Sequence, residues 1–237
     1  MQNRTALVTG ASRGLGRALA TALSGRGWRL LVDGRDPERL ATTVAGLPRP
    51  ELVTAIPGDV ADPGHRAALA AAVPDRLDLL VNNASDLGPT PLPRLADLAP
   101  AAFERILAVN TVAPLAVLQA VLPALERAGG TVIDISSDAA VEAYPGWGGY
   151  GASKAALDHL TAVLAAEHAT LRMYAVDPGD MATEMQQAAF PGEDVSDRQP
   201  PEAVVPALLR LVEEDLPSGR YRAADLAAGQ VAVGAGR

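Results

Sequence analysis

Short apolar segments alternate with longer segments rich in alanine, leucine and arginine along most of the chain. Apolar segments such as Ala6-Leu7-Val8 are continuous rather than alternating, which is typical of strands buried on both faces of a parallel sheet. The pattern predicts strands at residues 5–9, 29–33, 52–56, 77–82, 131–136 and 171–176, with a weak seventh near 220–222. It predicts helices at residues 15–24, 37–45, 65–73, 101–128, 150–168 and 202–214.

This alternation of strand and helix predicts an α/β fold, a doubly wound parallel sheet of about seven strands with helices on both faces. No linker or internal repeat interrupts the pattern, so residues 1–237 are predicted to form one domain. Stretches rich in proline and glycine follow strands at residues 87–93, 145–149 and 191–201. Because ligands of such sheets bind beyond the carboxyl ends of the strands, we expect these loops to border the site.

Composition excludes several classes of function. The 237 residues are 49% hydrophobic, enough for a packed core, and 20 basic against 28 acidic residues give a net charge of −8, so no nucleic-acid partner is expected. The absence of cysteine removes disulfides and thiolate chemistry. Three histidines (His65, His159 and His168) lack the spacing of metal ligands, so no metal site is predicted.

No targeting or membrane segment is predicted. The first residues lead directly into a strand pattern, without the long apolar region of a signal peptide. The longest apolar stretch, after Asn110, contains Pro114 and Pro123 and is expected to fall short of a membrane span. These features predict a cytoplasmic protein.

A glycine-rich turn, Thr9-Gly10-Ala11-Ser12-Arg13-Gly14-Leu15-Gly16, joins the first strand to the first helix. Glycine permits a tight turn and close approach of the backbone to a pyrophosphate, and the helix N-terminus offers free N–H groups. The turn therefore predicts a dinucleotide site. A turn that merely ends the strand is the alternative. The spacing is TGxxxGxG.

The end of the second strand, Val32-Asp33-Gly34-Arg35, addresses the choice of cofactor. An acidic residue there holds the ribose 2′-hydroxyl of NAD, whereas arginine favours the 2′-phosphate of NADP. Asp33 argues for NAD if it points at the ribose, and a shift of one residue in register would turn it away. Arg13 and Arg35 could instead clamp a phosphate or be ordinary solvated charges. The sequence favours NADP(H) over NAD(H).

Lys154 is the only lysine in the chain, and it follows Tyr150 by four residues. In a helix this spacing places both side chains on one face, one turn apart. A tyrosine with a pKa of about 10 is a poor base at neutral pH, and a neighbouring ammonium favours its phenolate. A surface pair without function is the alternative.

Ser137 and Asn82 end two predicted strands. Asn110 lies in a predicted helix, where its amide must be a structural hydrogen-bonder or part of a relay.

Seven segments in order resemble the motifs of the short-chain dehydrogenase/reductases, over nearly the whole chain: TGASRGLG, Asp59-Val60, NNAS, Asn110, Ser137, YGASK and Asp177-Pro178-Gly179. The length and the TGxxxGxG spacing are similar to the shorter, single-domain branch of that family. The resemblance implies a Rossmann-type fold and hydride transfer between NAD(P)(H) and a small carbonyl compound or secondary alcohol.

The resemblance also implies roles for individual residues. Tyr150 would be the general acid/base, and Lys154 would lower its pKa and bind the nicotinamide ribose. Ser137 would hydrogen-bond the carbonyl oxygen, and Asn110 would hold a water that links Lys154 to solvent. The implied cofactor contacts are Gly10, Ser12, Arg13, Gly14, Leu15, Gly16, Arg35, Asp59, Val60, Asn82, Ala84, Tyr150, Lys154, Pro178, Gly179, Met181 and Thr183.

The chain departs from the family pattern at a few positions. NNAS replaces the commoner NNAG, so that Ser85 adds a side chain, and Asp138 follows Ser137 directly. Residues 184–201, the expected substrate lid, are short and rich in glutamine, proline and acidic residues, and the tail beyond Tyr221 lacks the usual glycine-rich closing strand.

A substrate pocket is predicted from Ser137, Tyr144, Trp147 and Met185, with Met181 and Phe190 nearby. Packing of these side chains against the sheet is the alternative. The rival to an enzyme is a non-catalytic NADP-binding regulatory or scaffold protein on the same fold. The resemblance further implies a homodimer or homotetramer formed through the helices at residues 101–128 and 150–168.

Overall fold

A sheet of seven parallel strands forms the centre of the protein, for which a computed structural model describes residues 4–230. The strands are β1 (Thr5–Val8), β2 (Arg29–Gly34), β3 (Val53–Pro57), β4 (Leu79–Asn82), β5 (Thr131–Ile135), β6 (Arg172–Asp177) and β7 (Gly219–Arg222). Their order is β3-β2-β1-β4-β5-β6-β7, so the winding reverses between β1 and β4. The predicted doubly wound parallel sheet is confirmed, including its weak seventh strand.

Helices cover both faces of the sheet. They are α1 (Gly14–Gly25), α2 (Pro37–Ala45), α3 (Pro63–Ala72), α4 (Pro100–Leu107), α5 (Ala113–Ala128), α6 (Gly148–Glu167), α7 (Glu184–Ala189), α8 (Val205–Glu213) and α9 (Ala223–Ala227). Asp36 and Asp62 cap α2 and α3, each accepting two backbone N–H bonds, and each is followed by proline at the first helical position. The short helices α7 and α9 were not predicted. The end of the tail, residues 231–237, lies outside the described range.

Successive residues of the strands bury opposite faces. Ala6 and Val8 of β1 pack with α1 and α8, whereas Leu7, between them, packs with α3 and α5 on the other side. Both faces of the sheet are therefore buried beneath helices, which is why the strand segments are apolar without alternation.

The predicted helix at residues 101–128 is divided by a wide π-helical turn, Ala108–Val112, between α4 and α5. The helical path nevertheless runs without a break for 29 residues, Pro100–Ala128; by length and composition alone it could cross a membrane, and 44% of its most apolar window is buried inside the protein. The expectation that prolines shorten this stretch was wrong, because Pro114 lies in the first turn of α5 and Pro123 is accommodated within it. The buried face of α5, with Val117, Val121 and Leu125, packs on the sheet.

Candidate active site

A groove of about 830 Å³ lies across the carboxyl ends of the strands. We call it the central groove. It extends from the tip of β2, past the glycine-rich turn, to the loops after β5 and β6 and to α7. Most of the predicted site residues line it: Gly10, Ser12, Arg13, Gly14, Leu15, Arg35, Asp59, Val60, Ala84, Ser137, Tyr144, Trp147, Tyr150, Lys154, Pro178, Gly179, Met181, Thr183 and Met185. Gly16, Asn82 and Asn110 do not line it and lie behind its wall.

The glycine-rich turn has the shape of a phosphate cradle. Gly10 and Gly14 have φ values of 66° and 55°, in the left-handed region that glycine adopts without strain. A Cβ on Gly14 would meet only the Thr183 side chain, at 3.7 Å, so the backbone there is open to a ligand. The N-cap residue of α1, Arg13, makes no side-chain bond to the first turn. The positive end of α1 therefore faces the groove without a side-chain cap, as a pyrophosphate requires.

Gly16 has a packing role behind the groove, and its contact with cofactor stays a prediction. A Cβ at this position would lie 2.5 Å from both the Gly10 carbonyl oxygen and the Asn83 side-chain nitrogen. That nitrogen donates to the carbonyls of Thr9 and Gly10, at 2.8 and 3.0 Å. The missing side chain lets α1 approach the turn closely.

Asp33 faces the glycine-rich turn. It is 1% exposed; one carboxylate oxygen accepts the Gly10 N–H at 2.6 Å, and the other lies 3.0 Å from Nε2 of His65. Both oxygens thus have protein partners, and Asp33 serves to hold the turn. His65 was not predicted to take part, because its contact with Asp33 is made across 32 residues of sequence.

The β2 end of the groove is rich in arginine. Arg13 and Arg35 line it as predicted, together with Arg39 of α2, which was not predicted. Glu184, at the start of α7, forms ion pairs with Arg13, at 2.5 Å, and with Arg39. On the adjoining wall, the Asp59 carboxylate accepts the Ala61 N–H at 2.9 Å and pairs with Arg105 at 2.6 Å.

Tyr150 and Lys154 lie one turn apart near the start of α6, and both are buried, at 8% and 2% exposure. Lys154 Nζ donates to the Ile135 carbonyl at 2.7 Å and lies 5.6 Å from the centre of the Tyr150 ring. Burial lowers the pKa of Lys154 to about 8, against the opposing effect of nearby carboxylates, first that of Asp158.

Burial also raises the pKa of Tyr150 to about 12, although the nearby hydroxyls of Ser85 and Ser137 act to lower it. The sequence predicts a lowered pKa, because it pairs the tyrosine with an ammonium. In the structure, loss of hydration of the phenolate has the larger effect. The Ser85 hydroxyl, which distinguishes this chain from the NNAG pattern, therefore has a definite place beside Tyr150.

The Ser137 hydroxyl is held by its neighbour in sequence. Its Oγ donates to the Asp138 carboxylate at 2.9 Å and accepts the Ala139 N–H at 3.1 Å. The same carboxylate accepts the Tyr144 hydroxyl at 3.1 Å. Asp138 thus joins two of the predicted substrate-pocket residues.

Asn110 lies in the π-helical turn and is completely buried. Its amide nitrogen donates to the Asp86 carbonyl and to the Ser153 hydroxyl, at 2.8 and 2.9 Å. Its amide oxygen accepts the Asp86 N–H at 2.8 Å and the Ser85 hydroxyl at 3.3 Å. With all four bonding positions in use, the amide has no position left for the predicted water.

Asn82 is a supporting residue behind the groove. Its amide nitrogen donates to the buried Asp134 carboxylate at 2.7 Å, which also accepts the Thr161 hydroxyl at 2.7 Å. The pKa of Asp134 is raised by burial, against the effect of these bonds. Asn82 therefore fixes the end of β4 to β5.

Aromatic and sulfur side chains border the other end of the groove. The Trp147 ring lies 5.7 Å from the Tyr150 ring, edge to face, and 5.9 Å from the Phe190 ring. Phe190 belongs to residues 184–201, the predicted substrate lid, and this segment is called the lid below. Met185 packs in the same cluster, and Tyr144 stands at the rim with 44% exposure. These side chains both pack together and line the groove, so both sequence-based interpretations describe part of the arrangement.

Comparison with known proteins agrees with this architecture. The family model that matches the chain is that of short chain dehydrogenase, and it covers residues 4–194. The chain belongs to the short-chain dehydrogenase/reductase family. As a member, it is an oxidoreductase with the Rossmann-type fold that the resemblance implied.

Individual relatives extend over most of the chain. The short chain dehydrogenase asqE of Emericella nidulans is 38% identical over 188 residues, which cover 72% of this chain and 66% of that relative. A short chain dehydrogenase structure from Escherichia coli CFT073, complexed with NADPH, is 28% identical with a TM-score of 0.85 and covers 94% of this chain and 97% of its own. Another from Shigella flexneri 2a, complexed with NADP, is 27% identical with a TM-score of 0.84, over 94% and 98% of the two chains.

Proposed function

We propose that the protein is an NADP(H)-preferring oxidoreductase that interconverts a small carbonyl compound and a secondary alcohol, with Tyr150 as general acid/base. The observation that supports this proposal best is the placement of Tyr150 on the central groove, beside Ser85 and Ser137 and one turn from the buried Lys154. When bound, a nicotinamide cofactor supplies or accepts the hydride.

The protein itself supplies the proton that the reduction needs. With a pKa of about 12, Tyr150 is protonated at neutral pH and ready to donate to a carbonyl oxygen. As that proton leaves, the Lys154 ammonium and the hydroxyls of Ser85 and Ser137 stabilise the phenolate. Ser137 donates to Asp138 and must turn from it to bond a substrate oxygen.

The glycine-rich turn and the N-terminus of α1 would hold the pyrophosphate, and Arg13, Arg35 and Arg39 would face a 2′-phosphate. The shape of the turn fits a pyrophosphate, because the backbone at Gly14 is open and the N-terminus of α1 has no side-chain cap. The preference for NADP(H) is supported by these arginines and by the relatives solved with NADP and NADPH. Asp59, Val60, Ala84, Pro178, Gly179, Met181 and Thr183 would complete the contacts.

The test measures the oxidation of NADPH in the presence of a panel of aldehydes and ketones. The loss of NADPH absorbance gives the rate. Tyr150→Phe removes the proton donor and is expected to lower kcat by about a hundredfold or more, as loss of general acid catalysis does. Tyr221→Phe is the matched control, since it removes a tyrosine hydroxyl that does not line the groove and that donates to the Pro217 carbonyl. A kcat of Tyr150→Phe close to that of the wild type would refute the mechanism. Cofactor binding without turnover of any substrate would favour the non-catalytic alternative.

The oligomeric state, homodimer or homotetramer, and the cytoplasmic localisation stay predictions.

A further inference from the structure

Glu184 lies across the β2 end of the central groove from two arginines. Its Oε2 is 2.5 Å from Nη1 of Arg13 and 3.1 Å from Nη1 of Arg39, and its Oε1 also contacts Arg39, so that the Arg39 pair is bidentate. The partners are separated from Glu184 by 171 and 145 residues of sequence. One carboxylate thus joins the lid to the glycine-rich turn and to α2.

The position of Glu184 is fixed by the helix that it begins. Thr183 caps α7 by accepting the Gln186 N–H at 3.2 Å, which presents the first side chain of the helix towards the arginines. Hydrogen bonding from Arg39, followed by that from Arg13, holds the pKa of Glu184 below its ordinary value. Glu184 is therefore an anion at neutral pH.

The three arginines at this end differ in their present partners. Arg13 and Arg39 share Glu184, whereas Arg35 makes no ion pair with any residue in the range 4–230. A guanidinium binds carboxylate and phosphate oxygens through the same N–H groups. An incoming 2′-phosphate would find Arg35 available and the other two already paired.

We propose that Glu184 is a specificity-determining residue that competes with the cofactor 2′-phosphate for Arg13 and Arg39. The inference rests on the proposed function, which places that phosphate at this end of the groove. NAD has no group there and leaves the Glu184 pairs intact, so Glu184 weakens the binding of NADP but not that of NAD. It reduces the preference of the enzyme for NADP and links phosphate binding to release of the first turn of the lid.

The experiment measures the Kd of NADP⁺ and of NAD⁺ by calorimetry for the wild type and for Glu184→Gln. The variant is expected to bind NADP⁺ on the order of fivefold more tightly, the size expected for two exposed ion pairs, and to bind NAD⁺ with an unchanged Kd. Glu193→Gln is the matched control, because it removes the same charge from the lid at a residue without an ion pair in the described chain. It should change neither Kd.

Three outcomes overturn the inference. An unchanged Kd of NADP⁺ in Glu184→Gln would mean that no competition exists, and equal tightening for both dinucleotides would mean that the lid merely obstructs the groove. An effect of the same size in Glu193→Gln would assign the change to the overall charge of the lid. If the wild type binds neither dinucleotide, the proposed function itself fails. Side-chain exposure of 53% at Glu184 makes loss of folding in the variant a minor concern, which a melting curve checks.

Discussion

Burial shifts the pKa values of Tyr150 and Lys154 in opposite directions for the same physical reason. In each case the charged form loses hydration, so the phenol keeps its proton to higher pH and the ammonium loses its proton at lower pH. Lys154 therefore imposes a cost on the folded chain at neutral pH, where it is still largely charged.

Replacing Lys154 with methionine is expected to stabilise the fold at pH 7 while removing activity. The pKa of Lys154 is lowered from 10.5 to about 8 by burial. Below pH 8 folding carries the full cost of burying the ammonium; between pH 8 and 10.5 only the unfolded chain binds the proton, so wild-type stability rises with pH. At about 1.4 kcal/mol per pKa unit the cost is roughly 3 kcal/mol, an upper limit for the gain.

Urea unfolding of both proteins at pH 7 and pH 10 measures this effect. The advantage of the methionine variant should be smaller at pH 10, where wild-type Lys154 folds uncharged. The lost bond to the Ile135 carbonyl takes away part of the gain at both pH values. An advantage that does not depend on pH would show that packing, rather than charge, is responsible.

Among the elements, the helical stretch from α4 to α5 shows how far periodicity reaches. The pattern predicts a helix over residues 101–128, and the chain is helical there, but the π-helical turn at Ala108–Val112 has no periodic signature. Before the turn α4 buries Ile106 beside Gly149, and after it α5 buries Val117 and its neighbours against the sheet. The turn is nevertheless what holds Asn110 against Asp86 and Ser153, so the resemblance identified the residue but not its bonds.

Two glycines of α1 are expected to respond to alanine in opposite ways. At Gly16, a Cβ would lie 2.5 Å from the Gly10 oxygen, so Gly16→Ala must displace the turn and should cost about 1–3 kcal/mol and weaken dinucleotide binding. At Gly25 the nearest atom, Pro48 Cγ, is 3.9 Å away, and alanine should stabilise the helix by about 0.5–1 kcal/mol. Thermal melting with and without NADP⁺ compares the two, and equal shifts would show that closeness of packing does not decide the effect.

Across the whole molecule, the parallel sheet could be predicted because a strand buried on both faces leaves a local pattern, as in Leu79-Leu80-Val81. Tyr150, Lys154 and Ser137 could be proposed as site residues because each stands in a short motif. Contacts between distant elements leave no such mark. Arg39 is an ordinary surface arginine in sequence until α7 brings Glu184 beside it. The same applies to Arg220 in β7.

Arg220 joins the last strand to α6 and to Ser137. Its Nη2 donates to the Ser137 carbonyl at 2.9 Å, and its Nε pairs with Asp158 of α6 at 2.9 Å. The Asp158 side chain is 14% exposed, and its other oxygen is buried without a partner in the described structure. Arg220→Met would leave this carboxylate without its ion-pair partner, which is expected to destabilise the protein by up to about 3 kcal/mol and to lower kcat through loss of the Ser137 anchor.

The double variant Arg220→Met/Asp158→Asn separates charge from packing. Removing the carboxylate as well should restore much of the lost stability, since the anion that lost its ion-pair partner is removed too, whereas kcat should stay low because Ser137 still lacks its anchor. Arg222→Met is the matched control, because Arg222 is an exposed residue of the same strand without an ion pair among residues 4–230. Urea unfolding and kcat are measured for all four proteins. A double variant no more stable than Arg220→Met would locate the effect in the packing of the arginine stem against α6, and recovery of kcat together with stability would show that Arg220 acts on the fold rather than on Ser137.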